Sequence, residues 1–285
     1  MALAALSGDE QLVIFVQLCN VLDPGVAVAF ASVSSELWTL TQAPRQQLQA
    51  DHEAATALCR KLGLRSCKAL REATRLERYN AGLTADDLAL LGTLGSMLPA
   101  LETLNLHSEA AGPDGVQRLA EGLVAGALPA VTTLSIFHTH VGDAGASTLA
   151  AALGQGALPR LKTLLLGNAA IGDAGLVALA PALRRRPALG GLGFDCNPFG
   201  DEGLAALVAP PPPAGAPPPT TGGLAKLKAL ILSRTQITDA GCATLAAALE
   251  SGALPALERL WLGGIPASAA AKDAVYAARA NLEGR

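Results

Sequence analysis

The chain has 285 residues, 51% of them hydrophobic and only 16% charged, with a net charge of -3. That balance excludes a largely disordered chain and gives no basic footprint for nucleic acid or an anionic membrane surface. Aromatic residues make up 3%, and a core of Leu and Ala with few rings suits thin repeated layers better than one globular centre. Cys19, Cys59, Cys67, Cys196 and Cys242 form no C-x-x-C pair, which argues against a disulfide framework and fits a reducing compartment. The opening MALAALSGDEQ lacks a basic n-region and turns acidic early. Leu12 to Leu22 is broken by Gln17 and Asn20 and is too short to span a bilayer. The expectation is a soluble cytoplasmic protein, with the nucleus also open, monomeric on its own.

The first 74 residues follow helical spacing. Leu12, Phe15, Leu18 and Leu22 lead to a turn at Asp23-Pro24-Gly25, then to a second apolar run ending in Trp38. DHEAATALCRKLG and SCKALREATRLE read as two further amphipathic helices, bridging over 49–74. The segment from Asp9 to Gln42 resembles an F-box, on Leu22-Asp23-Pro24 and on Val33-Ser34-Ser35-Glu36-Leu37-Trp38. It lacks that family's L-P opening and its basic residue after the valine. The resemblance implies an F-box over 1–48 that binds the adaptor of a cullin-type ubiquitin ligase. Leu18, Leu22, Pro24, Val26, Phe30, Val33 and Trp38 are then the adaptor-binding positions. The other reading is a plain helical cap or docking domain in which the same leucines are core.

From residue 75 the grammar changes to a repeat. LPALETLNL at Leu98 returns as LPAVTTLSI at Leu128, LPRLKTLLL at Leu158 and LPALERLWL at Leu254, with diverged copies from Pro187 and Leu224. The anchors Leu101, Val131, Leu161, Leu189, Leu227 and Leu257 are spaced by 30, 30, 28, 38 and 30 residues. After each strand phrase comes a second motif, GPDG at Gly112, GDAG at Gly142 and Gly172, GDEG at Gly200 and TDAG at Thr238, followed by an apolar run of helical period. Each unit reads as strand, turn, helix and return loop. The leucines of L-x-x-L-x-L point inward and stack on their counterparts one repeat away. Asp143, Asp173, Asp201 and Asp239 stand where helices start and are expected to accept bonds from free backbone N–H groups.

These residues resemble the leucine-rich-repeat family in its ribonuclease-inhibitor-like subtype, over roughly residues 75 to 265. The resemblance implies an α/β fold, a right-handed solenoid shaped as a horseshoe, with a parallel sheet on the concave face and helices on the convex face. The family's ladder asparagine survives only as Asn197; Glu109, Thr139, Ala169 and Thr235 hold the matching positions. Residues 73–97 align as a degenerate zeroth repeat with Arg78 at an inward position and read as the N-terminal cap before about five repeats, and residues 266–285 read as a closing helix with Pro266 near its first turn. The proline-rich stretch 209–223 accounts for the 38-residue step and reads as an insertion at the rim, with a polyproline ligand for SH3-type or profilin-type proteins as the other reading.

No nucleophile elbow, P-loop or G-x-G-x-x-G helix opening occurs in the sequence, so neither an enzyme nor a cofactor is expected. His107, His138 and His140 fall at or after neighbouring strands, but their register argues for surface histidines over a metal site. The candidate surface is the concave row that alternates with the buried leucines: Asn105, His107, Ser135, Phe137, Leu165, Asp195, Ile231, Ser233, Arg259 and Trp261. Phe137, Leu165, Ile231 and Trp261 are expected to be exposed there, and a lined-up apolar row is a mark of a protein partner. The leading expectation is a scaffold that grips a protein along this face, or more sharply a substrate receptor of a ubiquitin ligase. Rival expectations are a GTPase-activating protein, with Arg234 or Arg259 as its polar group, and a membrane-associated adaptor.

Overall fold

A computed structural model describes residues 6–79, 81–107, 111–208, 223–279 and 281–284, with Arg78 and Tyr79 described by backbone alone. The insertion expected over 209–223 lies outside the described residues apart from Gly223, and so does Glu109. The chain divides into two compact units, 1–73 and 74–285.

The first unit is all helical: α1 (Gly8–Leu18), α2 (Gly25–Ala31), α3 (Ser35–Leu40), α4 (Gln42–Lys61) and α5 (Cys67–Glu72). Ser7 and Glu10 close a reciprocal capping box at the start of α1. Pro24 caps α2, as the D-P-G turn predicts. Phe15, Ala27, Ala31 and Leu48 form a small core against which Leu18, Cys19, Val21 and Phe30 pack. Because Leu48 belongs to that core, α4 runs unbroken across the boundary expected at residue 48. The segments 1–48 and 49–74 are therefore parts of one packed unit rather than separate pieces. His52 near the middle of α4 donates a ring N–H to the Val21 carbonyl at 2.7 Å, fixing α4 to the turn before α2.

The second unit alternates strand and helix: β1 (Arg75–Tyr79), α6 (Ala85–Leu94), β2 (Thr103–His107), α7 (Gly112–Val124), β3 (Thr133–Phe137), α8 (Gly142–Gly154), β4 (Thr163–Leu165), α9 (Asp173–Arg184), β5 (Gly191–Gly193), α10 (Asp201–Leu207), β6 (Ala229–Ile231), α11 (Asp239–Glu250), β7 (Arg259–Trp261) and α12 (Ala269–Ala277). The seven strands lie in chain order in one open, wholly parallel sheet. Neighbouring strands in sequence are neighbours in space, and successive helices pack on one another, which makes the unit an α/β solenoid. The inward leucines stack in register, Leu76, Leu104, Leu134, Leu164, Leu192, Leu230 and Leu260, and every one is buried. β1 is a full strand, and its register sets Arg78 beside Leu106.

The helix starts are joined by a device that the spacing does not reveal. From Asp143 onward, each motif aspartate serves the helix after its own. Asp143 Oδ1 accepts from the N–H groups of Gly172 and Gly175 at 2.6 and 3.0 Å, at the start of α9. Asp173 does the same for Gly200 and Gly203 of α10 at 2.9 and 2.7 Å. Asp201 takes the N–H and hydroxyl of Thr238 before α11, and Asp239 those of Ser268 before α12. The acids accept from free N–H groups as expected, but from those of the following helix: α9 and α10 have glycine N-caps with no side chain to offer, and the previous repeat supplies the acceptor. This also explains the second glycine of the motif. A Cβ on Gly175, Gly203 or Gly241 would lie 2.6, 2.9 or 2.2 Å from the oxygen of the preceding aspartate, so the glycine is kept for space.

The closing helix expected over 266–285 is α12, and the tail after it adds a further contact to the sheet. Ser268, two residues beyond Pro266, caps α12. The tail then returns: Glu283 bridges Arg259 in parallel, its N–H donating to the Glu258 carbonyl while its own carbonyl accepts from Leu260. The last edge strand is therefore paired in part. Arg279 donates to the carbonyls of Leu254 and Leu257, much as Arg186 donates to those of Leu153, Ala157 and Leu158. The carbonyls left at these return turns are thus satisfied from the following repeat.

Candidate functional site

Strand pleating assigns alternate side chains to opposite faces, and the face opposite the leucine stack carries three rungs. The first joins Arg75, Thr103, Thr133, Thr163, Gly191, Ala229 and Arg259; the second joins Glu77, Asn105, Ser135, Leu165, Gly193, Ile231 and Trp261. On the third, His107 is level with Phe137, and the repeat continues it through Gly167, Asp195 and Ser233.

The ten residues expected on this face do lie along it, but not equally presented. Ser135 is buried at 4% exposure, and only Arg259 is fully exposed. Phe137, Leu165, Ile231 and Trp261, expected to be exposed, are half-buried, and two glycines let the first three lie flat. A Cβ on Gly193 would stand 2.8 Å from Leu165 Cδ2 and 3.6 Å from Ile231 Cδ1, so both aliphatic chains lean over β5. A Cβ on Gly167 would lie 2.2 Å from the Phe137 ring. The apolar row therefore runs Leu165, Gly193, Ile231, Trp261 on one rung, with Phe137 displaced to the next. The Arg259 guanidinium stands 5.9 Å from the Trp261 ring centre, within cation–π range.

The far rim of the sheet is a row of turns. His138, Asn168, Cys196 and Arg234 hold the same place in successive repeats with φ of 51, 48, 57 and 57°, and Gly264 follows at 72°. Each of the first four donates its N–H to a carbonyl of the next repeat, which extends the ladder beyond the strands. Arg234 is thus fixed at a turn and Arg259 over a tryptophan. The rings of His107 and His138 are 4.6 Å apart, and His138 Nδ1 meets Asn168 Nδ2 at 2.6 Å. Among the described residues no three His, Cys, Asp or Glu side chains converge as metal ligands.

In the helical unit the expected adaptor positions separate. Leu22 is buried at 5%, and Leu18, Pro24 and Phe30 are half-buried, so these side chains largely pack the unit. Val26, Val33 and Trp38 face outward at 56%, 67% and 43% exposure. They are joined by Val13, Val16, Val28 and Leu40, all exposed. Arg45 stacks on Trp38 at 3.4 Å and donates to its carbonyl. Sequence reasoning did not single out Val13 and Val16, three apart on α1, although helical spacing alone separates them from the buried Phe15. Deeper in this unit, burial and the neighbouring Cys67 thiol, 4.0 Å away, push the Cys59 thiol up to about 12, so Cys59 stays a packing thiol.

Residues 128–150, 159–180 and 223–246 match a family described as Leucine Rich repeat. Three segments of the second unit thus match the leucine-rich-repeat pattern. The matched segments cover β3 with most of α8, β4 with most of α9, and β6 with most of α11. A solved structure titled "Leiomodin-1 Actin-Binding Site 2 (ABS2)" is similar to this chain with a TM-score of 0.41 and 16% identity, over 69% of this chain and 87% of that one. No curated protein matches the chain. No described helix is long and apolar enough to cross a membrane.

Proposed function

We propose that this chain is a non-enzymatic scaffold whose leucine-rich repeats hold a partner protein on the open sheet face. The observation that carries the reading is the rung Leu165, Gly193, Ile231, Trp261. All-parallel sheets are ordinarily covered on both faces. Here the second face bears aliphatic chains and a tryptophan over a glycine gap, with a groove opening beside them. Such a patch gains free energy when a partner removes it from water.

The test compares capture of partner proteins by the tagged full chain and by its variants. Ile231→Asp is expected to weaken capture at least about tenfold, as loss of an interface anchor does. Val177→Asp, on the exposed surface of α9, should leave it unchanged. Equal capture by Ile231→Asp, with an unaltered circular dichroism spectrum, contradicts the reading.

A second reading adds the F-box type of role, that of a substrate-recruiting subunit of a cullin-based ubiquitin ligase. It is favoured by the outward Val13, Val16, Val26, Val33 and Trp38 on so small a unit. The full chain is then expected to bind a purified cullin adaptor, and Val26→Asp with Val33→Asp to lose at least about tenfold. No binding by the unaltered chain removes this role and leaves the scaffold.

A further inference from the structure

Beside the apolar rung lies a groove of about 410 Å³ over the start of β5. Its floor is Gly190 and Gly191, and its walls include Leu165 and Ile231. Its rim is cationic. Lys162, Lys226, Lys228 and Arg259 line it and no acidic residue does, in a chain whose net charge is -3. The repeat places these charges: Lys162, Gly190 and Lys228 hold the same position in three successive repeats, each donating its N–H to the carbonyl of the one before or to the preceding repeat. Two ammonium-bearing stems thus flank a glycine, about 10 Å apart across two strand spacings.

The other charges on this face are few. Glu258 pairs with Lys228 at 3.1 Å, both about 60% exposed, a contact weak enough for a competing carboxylate to replace. Asp195 stands on the third rung, toward the opposite end of the strands, so a negative ligand is attracted to the groove end and repelled from the far end. No aromatic side chain lines the groove for base stacking.

We propose that this groove takes an extended, carboxylate-rich segment of the partner protein, with its acidic side chains on Lys162, Lys228 and Arg259 and an aliphatic side chain between Leu165 and Ile231. The inference rests on the reading of the sheet face as the binding surface and adds the chemistry of what it holds. The glycine floor lets a peptide backbone approach closely, and the long cationic stems cover apolar surface while their heads stay in water.

The experiment is fluorescence anisotropy of the full chain with a labelled peptide of alternating Glu and Leu, beside its Lys–Leu counterpart and a labelled single-stranded oligonucleotide. Only the Glu–Leu peptide is expected to bind, and its affinity should fall at least about tenfold on raising salt from about 0.05 to about 0.5 M. Lys162→Glu with Lys228→Glu is expected to cost at least about tenfold, whereas Lys68→Glu in the helical unit should change nothing. Equal binding of the Lys–Leu peptide, tighter binding of the oligonucleotide, or full affinity in the double variant overturns the proposal. If Ile231→Asp abolishes partner capture while the Glu–Leu peptide fails to bind, the sheet face stands as the binding surface and the acidic segment does not.

Discussion

Asn197→Ala is expected to destabilise the repeat unit by about 4 kcal/mol, lowering its thermal midpoint by about 10 °C for a unit of this size. Asn197 is buried at 2% exposure in the turn after β5. Its Oδ1 accepts from the N–H groups of Ala169 and Ile171 at 3.1 and 3.0 Å, and its Nδ2 donates to the carbonyls of Leu166 and Phe194 at 2.7 and 2.9 Å. One side chain thus ties two repeats together. Alanine strands two buried amides without an acceptor, and each such loss costs about 1–3 kcal/mol. The neighbouring repeats manage with less. Thr139 and Thr235, equally buried, give their hydroxyls to the carbonyls of Phe137 and Leu232. Thr235→Ala should therefore cost only about 1 kcal/mol, and scanning calorimetry on both variants separates the two. Equal midpoints would contradict the role of the amide.

Asp173→Ala is expected to cost about 3 kcal/mol, because two N–H groups at the start of α10 lose a charged acceptor. Asp173→Asn keeps an oxygen in place and should recover more than half. The sharper readout is local. Amide exchange at Gly200 and Gly203 should accelerate in Asp173→Ala while α9, which carries the mutated residue, keeps the cap supplied by Asp143. If α9 frays and α10 does not, each aspartate caps its own helix and the account of the repeat junctions fails.

What was legible in the sequence follows from what repeats. The strand phrase and its period mark six of the seven parallel strands, with the degenerate alignment of 73–97 standing for β1, and the leucines that recur in it are the buried stack. The partner of each aspartate was not legible, since one residue type at a helix start satisfies either its own helix or the next. The glycine two residues after the aspartate does not distinguish them by itself: at Gly175, Gly203 and Gly241 it leaves room for the preceding acid, but at Gly145 the close neighbour is Val141. The depth of Leu165, Ile231 and Phe137 was hidden for a related reason. Exposure on a sheet face depends on the rung neighbours, and Gly193 and Gly167 let those side chains recline. The return of Glu283 to pair the last strand has no sequence mark at all, because it rests on backbone hydrogen bonds available to any residue. In the helical unit the heptad-like spacing found the core residue Phe15, but the length of α4 depended on Leu48 packing against residues far earlier in the chain.

The central claim is that the open face of β4 to β7 is where a protein is held. Amide hydrogen exchange of the full chain with and without its captured partner tests it most directly. Slowed exchange over 162–165, 190–193, 228–231 and 258–261, with α7 to α11 unchanged, is the expected result. Protection confined to the helices, with the strand segments unaffected, would contradict it.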